Sequence, residues 1–327
     1  MGLFSKIGNF YAISAPAPLS DDVGTPKGDK RYRRLAFESF VAATVGYSLY
    51  YVCRTSLNVM KKPIIDSGFL DAAELGVIGS ALLFAYAIGK AVNGFVCDYC
   101  NIKRFMATGL AISAVANLLM GVLGMASGAV ISSAVLFIAM SIMWAINGWS
   151  QAMGSPPAVI ALSRWYPLNK RGTYYGFFSA SHNIGEFFSF LFVGSLVATA
   201  GWQWGFFGST IAGVLGVIFI IFFMHDTPES EGLSSIEVLA GEKSLLEKPS
   251  STISPEEATK RKRAIQKMAV CNPGIWVLAG ARAFLYISRY AINEWGIIFL
   301  QESKGYELAE AAAVVSITES SLLRISR

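Results

Sequence analysis

The chain has 327 residues, of which 54% are hydrophobic and 15% charged, against roughly 25% charged in a typical soluble domain. That balance excludes an ordinary water-soluble fold and points to helices that lie in lipid. Four cysteines are too few for a disulfide scaffold, and the net charge of +5 follows from where the basic residues fall, with no nucleic-acid partner required.

Residues 1–34 form a cytoplasmic amino-terminal tail with six Lys and Arg. Met1-Gly2-Leu-Phe-Ser-Lys6 opens like a myristoylation signal, but Lys6 stands at its Ser/Thr position. Ala15-Pro16-Ala17 has no apolar core before it and is not a cleavage site. Phe4, Ile7, Phe10 and Tyr11 fit a short helix on the membrane surface or an unstructured tail, and the sequence leaves both open.

Apolar stretches close to the ~20 residues that cross a bilayer as a helix recur at about 35–58, 74–96, 105–126, 130–152, 174–198, 204–224 and 274–300, and an eighth begins near Leu308. Alternate connections carry eighteen Lys and Arg against three, with Lys61 and Lys62 counted on the poorer side. The amino terminus is therefore expected in the cytoplasm. Small residues such as Gly76, Gly79 and Gly89 in span two, and Gly109 and Gly121 in span three, let membrane helices approach closely. Cys97-Asp-Tyr-Cys100 has the spacing of redox and zinc sites, but it has no second pair and no βαβ context. Span four ends at Gly154-Ser-Pro156-Pro157, where proline breaks the helical ladder. Residues 225–273 are polar and read as a cytoplasmic linker with a surface helix over 254–269. Their basic run Lys260-Arg-Lys-Arg263 serves as a positive-inside anchor or as a contact for anionic lipid.

One pattern occurs twice. Tyr51-Val-Cys-Arg54-Thr-Ser-Leu57-Asn58 and Tyr286-Ile-Ser-Arg289-Tyr-Ala-Ile292-Asn293 both read Tyr-x-x-Arg-x-x-(Leu/Ile)-Asn, 235 positions apart. That period fits two six-helix halves joined by a linker. Tyr47, Tyr51, Arg54 and Asn58 share one helix face, as do Arg282, Tyr286, Arg289 and Asn293. Span two adds Tyr86, Lys90 and Asn93, and span five adds Ser179, His182, Glu186 and Ser189. Within the spans Arg54, Lys90, Arg282, Arg289 and His182 outnumber Glu186 and Glu294. A lone arginine here serves as readily to tie helices through glutamates or carbonyls. A symmetric pair at one depth favours a wet cavity for an anion, and the guanidinium fork suits phosphate. His182 also fits a hydrogen-bonded core histidine.

Further segments, taken together and in order, resemble the major facilitator superfamily. Within it they resemble the organophosphate:phosphate antiporters, which include glycerol-phosphate and hexose-phosphate transporters and the related hexose-phosphate sensor. The segments are Gly94-Phe-Val-Cys-Asp98-Tyr-Cys-Asn101-Ile-Lys103-Arg104, Arg164-Trp-Tyr with Lys170-Arg171-Gly172, Ser181-His182-Asn183-Ile184-Gly185, His225-Asp226-Thr227-Pro228 and Arg289-Tyr-Ala-Ile-Asn293-Glu294-Trp295. The resemblance implies that Arg54 and Arg289 bind phosphate, that His182 assists, and that Lys90 is the basic residue of span two. It also implies a conformational-switch loop carrying Gly94, Asp98, Lys103 and Arg104. The repeated pattern adds Tyr51, Tyr286 and Asn293 as substrate-binding candidates. Thr55 departs from a lysine frequent in the family, Glu186 from a small residue, Tyr99 from a basic one, and Arg282 is an extra cation.

The expected fold is all-α, a polytopic membrane protein with a six-helix bundle over 35–224, the linker 225–273, and the start of a second bundle over 274–327. Seven to eight of twelve spans are expected. Beyond Glu319 the sequence stops resembling the family, so the chain is expected to be truncated, with the apolar faces of spans seven and eight unpartnered. The expected function is not enzymatic. It is exchange of an organophosphate for inorganic phosphate by alternating access in a bacterial inner membrane, with no cofactor. The alternatives are a hexose-phosphate sensor acting through a partner kinase, and an inactive fragment.

Overall fold

A computed structural model describes residues 3–126, 132–236 and 255–325. The first residues of the expected fourth span (130–131), the middle of the expected linker (237–254) and Met1-Gly2 lie outside the described residues. Helix α1 (Leu3–Tyr11) fills part of the tail, which favours the surface-helix reading of that segment. Helix α2 (Pro26–Asp66) is 41 residues long. Thr25 caps it by accepting from Gly28 N at 3.3 Å, and Pro26 at the first position gives up an amide that has no helical partner there. It runs well past the expected span at both ends and contains Pro63. Helix α3 (Ala72–Val96) opens on a reciprocal capping box between Asp71 and Glu74. Asn101 caps α4 (Ile102–Met125) through Arg104 N at 2.9 Å.

Helices α5 (Ser133–Gln151) and α6 (Ser155–Trp165) form one broken span, split where Pro156 and Pro157 enter the chain. A second broken span comprises α7 (Leu168–Ser179) and α8 (Ser181–Ala200). Then come α9 (Trp202–Phe223), α10 (Pro255–Cys271), α11 (Pro273–Lys304) and α12 (Leu308–Ile325). Among the described residues, six spans are long and apolar enough to cross a membrane. Helix α2 has the length but is not one of them, because Tyr47, Tyr50, Arg54, Thr55, Ser56 and Asn58 crowd its buried faces.

The bundle is built by α4 on α9, α3 on α5, and α2 wedged against α8 and α9. Glycine permits the closest of these approaches. A Cβ on Gly185 would strike the Ser48 backbone, and one on Gly148 the Leu82 backbone. The α2–α8 seam is sealed by Ser48 Oγ donating to Ser181 O (2.8 Å) and Thr55 Oγ1 to Ser189 Oγ (2.7 Å). Helix α12 packs on α8 and buries Ala311, Ala312 and Val315, so the apolar face expected to lack a partner has one. Helix α11 keeps Val277, Leu278, Phe284 and Leu285 exposed.

The surface holding the start of α2 is strapped by residues 12–25. Asn101 N donates to Tyr11 O (2.7 Å), Ala17 N to Glu229 O (2.9 Å) and Ser20 N to Gly232 O (3.0 Å). The nearby Ser20 hydroxyl, and then Arg31, hold the Asp22 carboxyl below its ordinary pKa. Buried Asp226 is the hub, accepting from Arg164 Nη1 (2.5 Å), Ile102 N (3.1 Å) and Ser14 N (2.8 Å).

Candidate functional site

Helices α2, α3, α6, α7, α8 and α11 enclose a cavity of about 410 Å³ whose wall includes Tyr47, Tyr51, Tyr86, Lys90, Ser155, Tyr175, His182, Arg282, Tyr286 and Tyr290. The breaks between α5 and α6 and between α7 and α8 bring Ser155 and His182 to it. Its exposed rim carries Tyr175 and Arg282, near the surface where α2 and α7 begin. A larger cavity of about 580 Å³ lies at that surface around Tyr32, Arg33, Tyr166 and Lys170, away from the repeated arginines.

Arg54 and Arg289 both stand one layer behind the cavity wall. Arg54 is buried under three tyrosines. Its guanidinium carbon lies 4.2 Å from the Tyr86 ring centre, 5.5 Å from Tyr51 and 5.6 Å from Tyr290, and its Nη2 donates to the Tyr290 hydroxyl at 3.0 Å. Stacking on aromatic faces stabilises a cation by about 0.5–2 kcal/mol per contact and leaves its charge uncancelled. Among the described residues no ion pair reaches Arg54.

Arg289 is held by one turn of α8. Its Nη1 donates to His182 Nε2 at 3.0 Å, and its Nη2 to Asn183 Oδ1 at 2.6 Å and Glu186 Oε2 at 2.8 Å. Arginine has no acceptor, so His182 accepts here and is neutral at Nε2. Glu186 is buried, and its Oε1 accepts from Asn293 Nδ2 at 3.1 Å. The second pattern therefore places Arg289 and Asn293 on one carboxylate. The ring centres of His182 and Tyr51 are 5.8 Å apart, which joins the surroundings of the two arginines.

Lys90 Nζ donates to Ser155 Oγ at 2.5 Å and lies 5.5 Å from the Tyr86 ring centre. Asn93 turns away to α5, donating to Trp149 O at 3.5 Å. Tyr286 stacks obliquely on Tyr290, 5.6 Å between centres. The loop candidates sit elsewhere, beside the strap. Asp98 accepts from Gln266 Nε2 on α10 at 2.8 Å. Arg104 donates to Phe10 O at 2.7 Å, Lys103 is half-buried, and a Cβ on Gly94 would meet open space.

Lys61 corrects the loop tally. It is inside α2, 1% exposed, two turns beyond Arg54 on the same side. Its Nζ donates to Glu294 Oε2 (2.7 Å) and Glu294 O (2.8 Å) and lies 4.4 Å from the Trp295 ring centre. A buried network just behind Arg54 was also not foreseen. Asn117 Nδ2 (2.9 Å) and Asn147 Nδ2 (3.1 Å) both donate to Cys53 O, and Ser56 Oγ to Asn117 Oδ1 (2.9 Å). The only sequence signal was two asparagines inside apolar spans.

The sequence model of the Major Facilitator Superfamily matches residues 43–323. The "Probable hexose phosphate transport protein" of Chlamydia muridarum is 35% identical over 297 residues, covering 89% of this chain and 62% of that one. The glycerol-3-phosphate transporter of Bacillus subtilis is 30% identical, with 90% and 64% covered. The membrane sensor protein UhpC of Salmonella typhimurium is 28% identical, with 95% and 66% covered. The chain thus spans less than two thirds of the length of these relatives. Among solved structures, a bacterial homologue of the human lysosomal transporter Spinster shares the fold, with a TM-score of 0.60 at 18% identity, over 85% of this chain and 58% of that one.

Proposed function

Because the chain belongs to the major facilitator superfamily, we propose that it carries the anion site of a secondary transporter that exchanges an organophosphate for inorganic phosphate. The organophosphate is a sugar phosphate or glycerol phosphate, and the exchange runs by alternating access. The observation that carries the reading is the convergence of Arg54 and Arg289, from helices 235 positions apart in sequence, behind a cavity whose wall adds Lys90, Arg282 and His182. A hexose phosphate and a glycerol phosphate, the groups named for two of the relatives, have the phosphate in common. Paired guanidinium forks recognise that shared part. Residues 35–224 then form the first bundle, 225–273 the linker and 274–327 the opening of the second. The protein lies in a bacterial inner membrane with its amino terminus in the cytoplasm.

The similarity to a membrane sensor protein across 95% of the chain supports a second reading, binding of hexose phosphate with signalling to a partner kinase. Equilibrium binding of radiolabelled phosphate to the purified chain tests both readings at once. Arg54→Lys and Arg289→Lys keep the charge and lose the fork, so each is expected to weaken binding at least about tenfold, and His182→Gln less. Unchanged affinity in both arginine variants refutes the site. Counterflow of phosphate in proteoliposomes then separates exchange from sensing.

A further inference from the structure

We infer that Glu186 is a selectivity element against carboxylate ligands: a built-in carboxylate on Arg289 that an incoming anion must displace. The inference rests on the phosphate-binding reading above and adds what the site refuses. The two repeated arginines occupy equivalent positions in sequence, yet among the described residues only Arg289 carries a counter-charge. Arg54 meets tyrosine rings and the Tyr290 hydroxyl. Arg289 meets a glutamate that is 3% exposed, with one oxygen on the guanidinium at 2.8 Å and the other on Asn293 at 3.1 Å.

A carboxylate in an anion site weakens anion binding in general, and the penalty differs with the ligand. A monocarboxylate arriving at Arg289 replaces Glu186 with the same group and the same charge. It gains nothing on the fork to offset the lost Arg289–Glu186 ion pair, which leaves the buried Glu186 on Asn293 alone and is strongly unfavourable. A phosphate dianion brings twice the charge and enough oxygens to hold Arg289 and Arg54 together. Those two gains offset the lost ion pair, while Glu186 stays on Asn293 as it does with any displacing anion. Discrimination of this kind comes from a penalty placed on the wrong ligand.

The test uses the purified 327-residue chain in lipid nanodiscs, radiolabelled inorganic phosphate as ligand and L-lactate as competitor. The parent is expected to bind phosphate and to ignore lactate. Glu186→Gln frees the Arg289 fork, so phosphate binds about tenfold tighter and lactate now competes. Glu186→Asp keeps the charge and retains exclusion of lactate. In an Arg289→Gln background, Glu186→Gln adds neither effect, which a merely structural role for Glu186 would not predict. Unchanged or weaker phosphate binding in Glu186→Gln, or continued exclusion of lactate by it, overturns the inference. Absence of saturable phosphate binding in the parent overturns the phosphate reading and the inference with it.

Discussion

Glu294→Gln probes what holds α11 to the first bundle. Lys61 is 1% exposed, while the Glu294 side chain is 19% exposed, so the lysine is the dry partner. Three groups hold the ammonium: the Glu294 carboxylate at 2.7 Å, the Glu294 carbonyl at 2.8 Å and the Trp295 ring at 4.4 Å. Glutamine keeps an acceptor in place but removes the charge. Breaking a buried pair by removing one partner costs about 3–5 kcal/mol. The surviving hydrogen bond puts this change near the lower end, at about 3 kcal/mol. Lys61→Met leaves a carboxylate that water partly reaches and costs less. The double variant removes both charges and should return to within about 1 kcal/mol of the parent. Thermal unfolding of the purified chain in detergent, with hydrogen exchange along α11, reads the effect. Equal stability of Glu294→Gln and parent, or additive losses in the double variant, refutes the buried pair as the anchor.

Gly185→Ala puts a methyl against the Ser48 backbone, with no flexible side-chain end to yield. It should cost about 1–3 kcal/mol in the melting of the purified chain, whereas Gly94→Ala, facing open space, should cost little. Asp226→Asn turns one acceptor of a buried hub into a donor facing Arg164, Ile102 N or Ser14 N. Hydrogen exchange should rise selectively in residues 12–25 and around 97–104, and unchanged protection there would show that the strap is held by other contacts.

The placing of the arginines was legible because a helical repeat fixes faces: Tyr51 and Tyr286 line one cavity, and Arg54 and Arg289 stand a layer behind its wall. Lys61 was not. Lys61-Lys62-Pro63 has the composition of a helix end in the membrane interface, and α2 instead continues through Pro63 to Asp66. Its partner, Glu294, lies 233 residues away, and no period in the sequence couples a lysine two turns beyond one arginine to a glutamate just beyond the other. Asn117 and Asn147 were invisible for a related reason. An amide in an apolar span is unremarkable until a neighbouring helix presents a carbonyl such as Cys53 O.

The same limit explains why a symmetric pattern produces an asymmetric site. The repeat specifies depth and facing for Arg54 and Arg289 but not what stands opposite. Arg54 is faced by Tyr86 of α3 and Tyr290 of α11, and Arg289 by His182, Asn183 and Glu186 of α8. Tyr86, His182, Asn183 and Glu186 come from helices that the pattern does not include, and Tyr290 stands at a position that the pattern leaves variable. Rings stabilise a cation without cancelling it, whereas a carboxylate cancels it. The uncancelled charge of this pair therefore sits on Arg54, and under the proposed reading an arriving anion would compete with Glu186 at Arg289. A phosphate that bridges the two would join α2 to α11, the two helices that carry the repeat. Its first gain would come from the charge on Arg54, and its selectivity from the contest with Glu186.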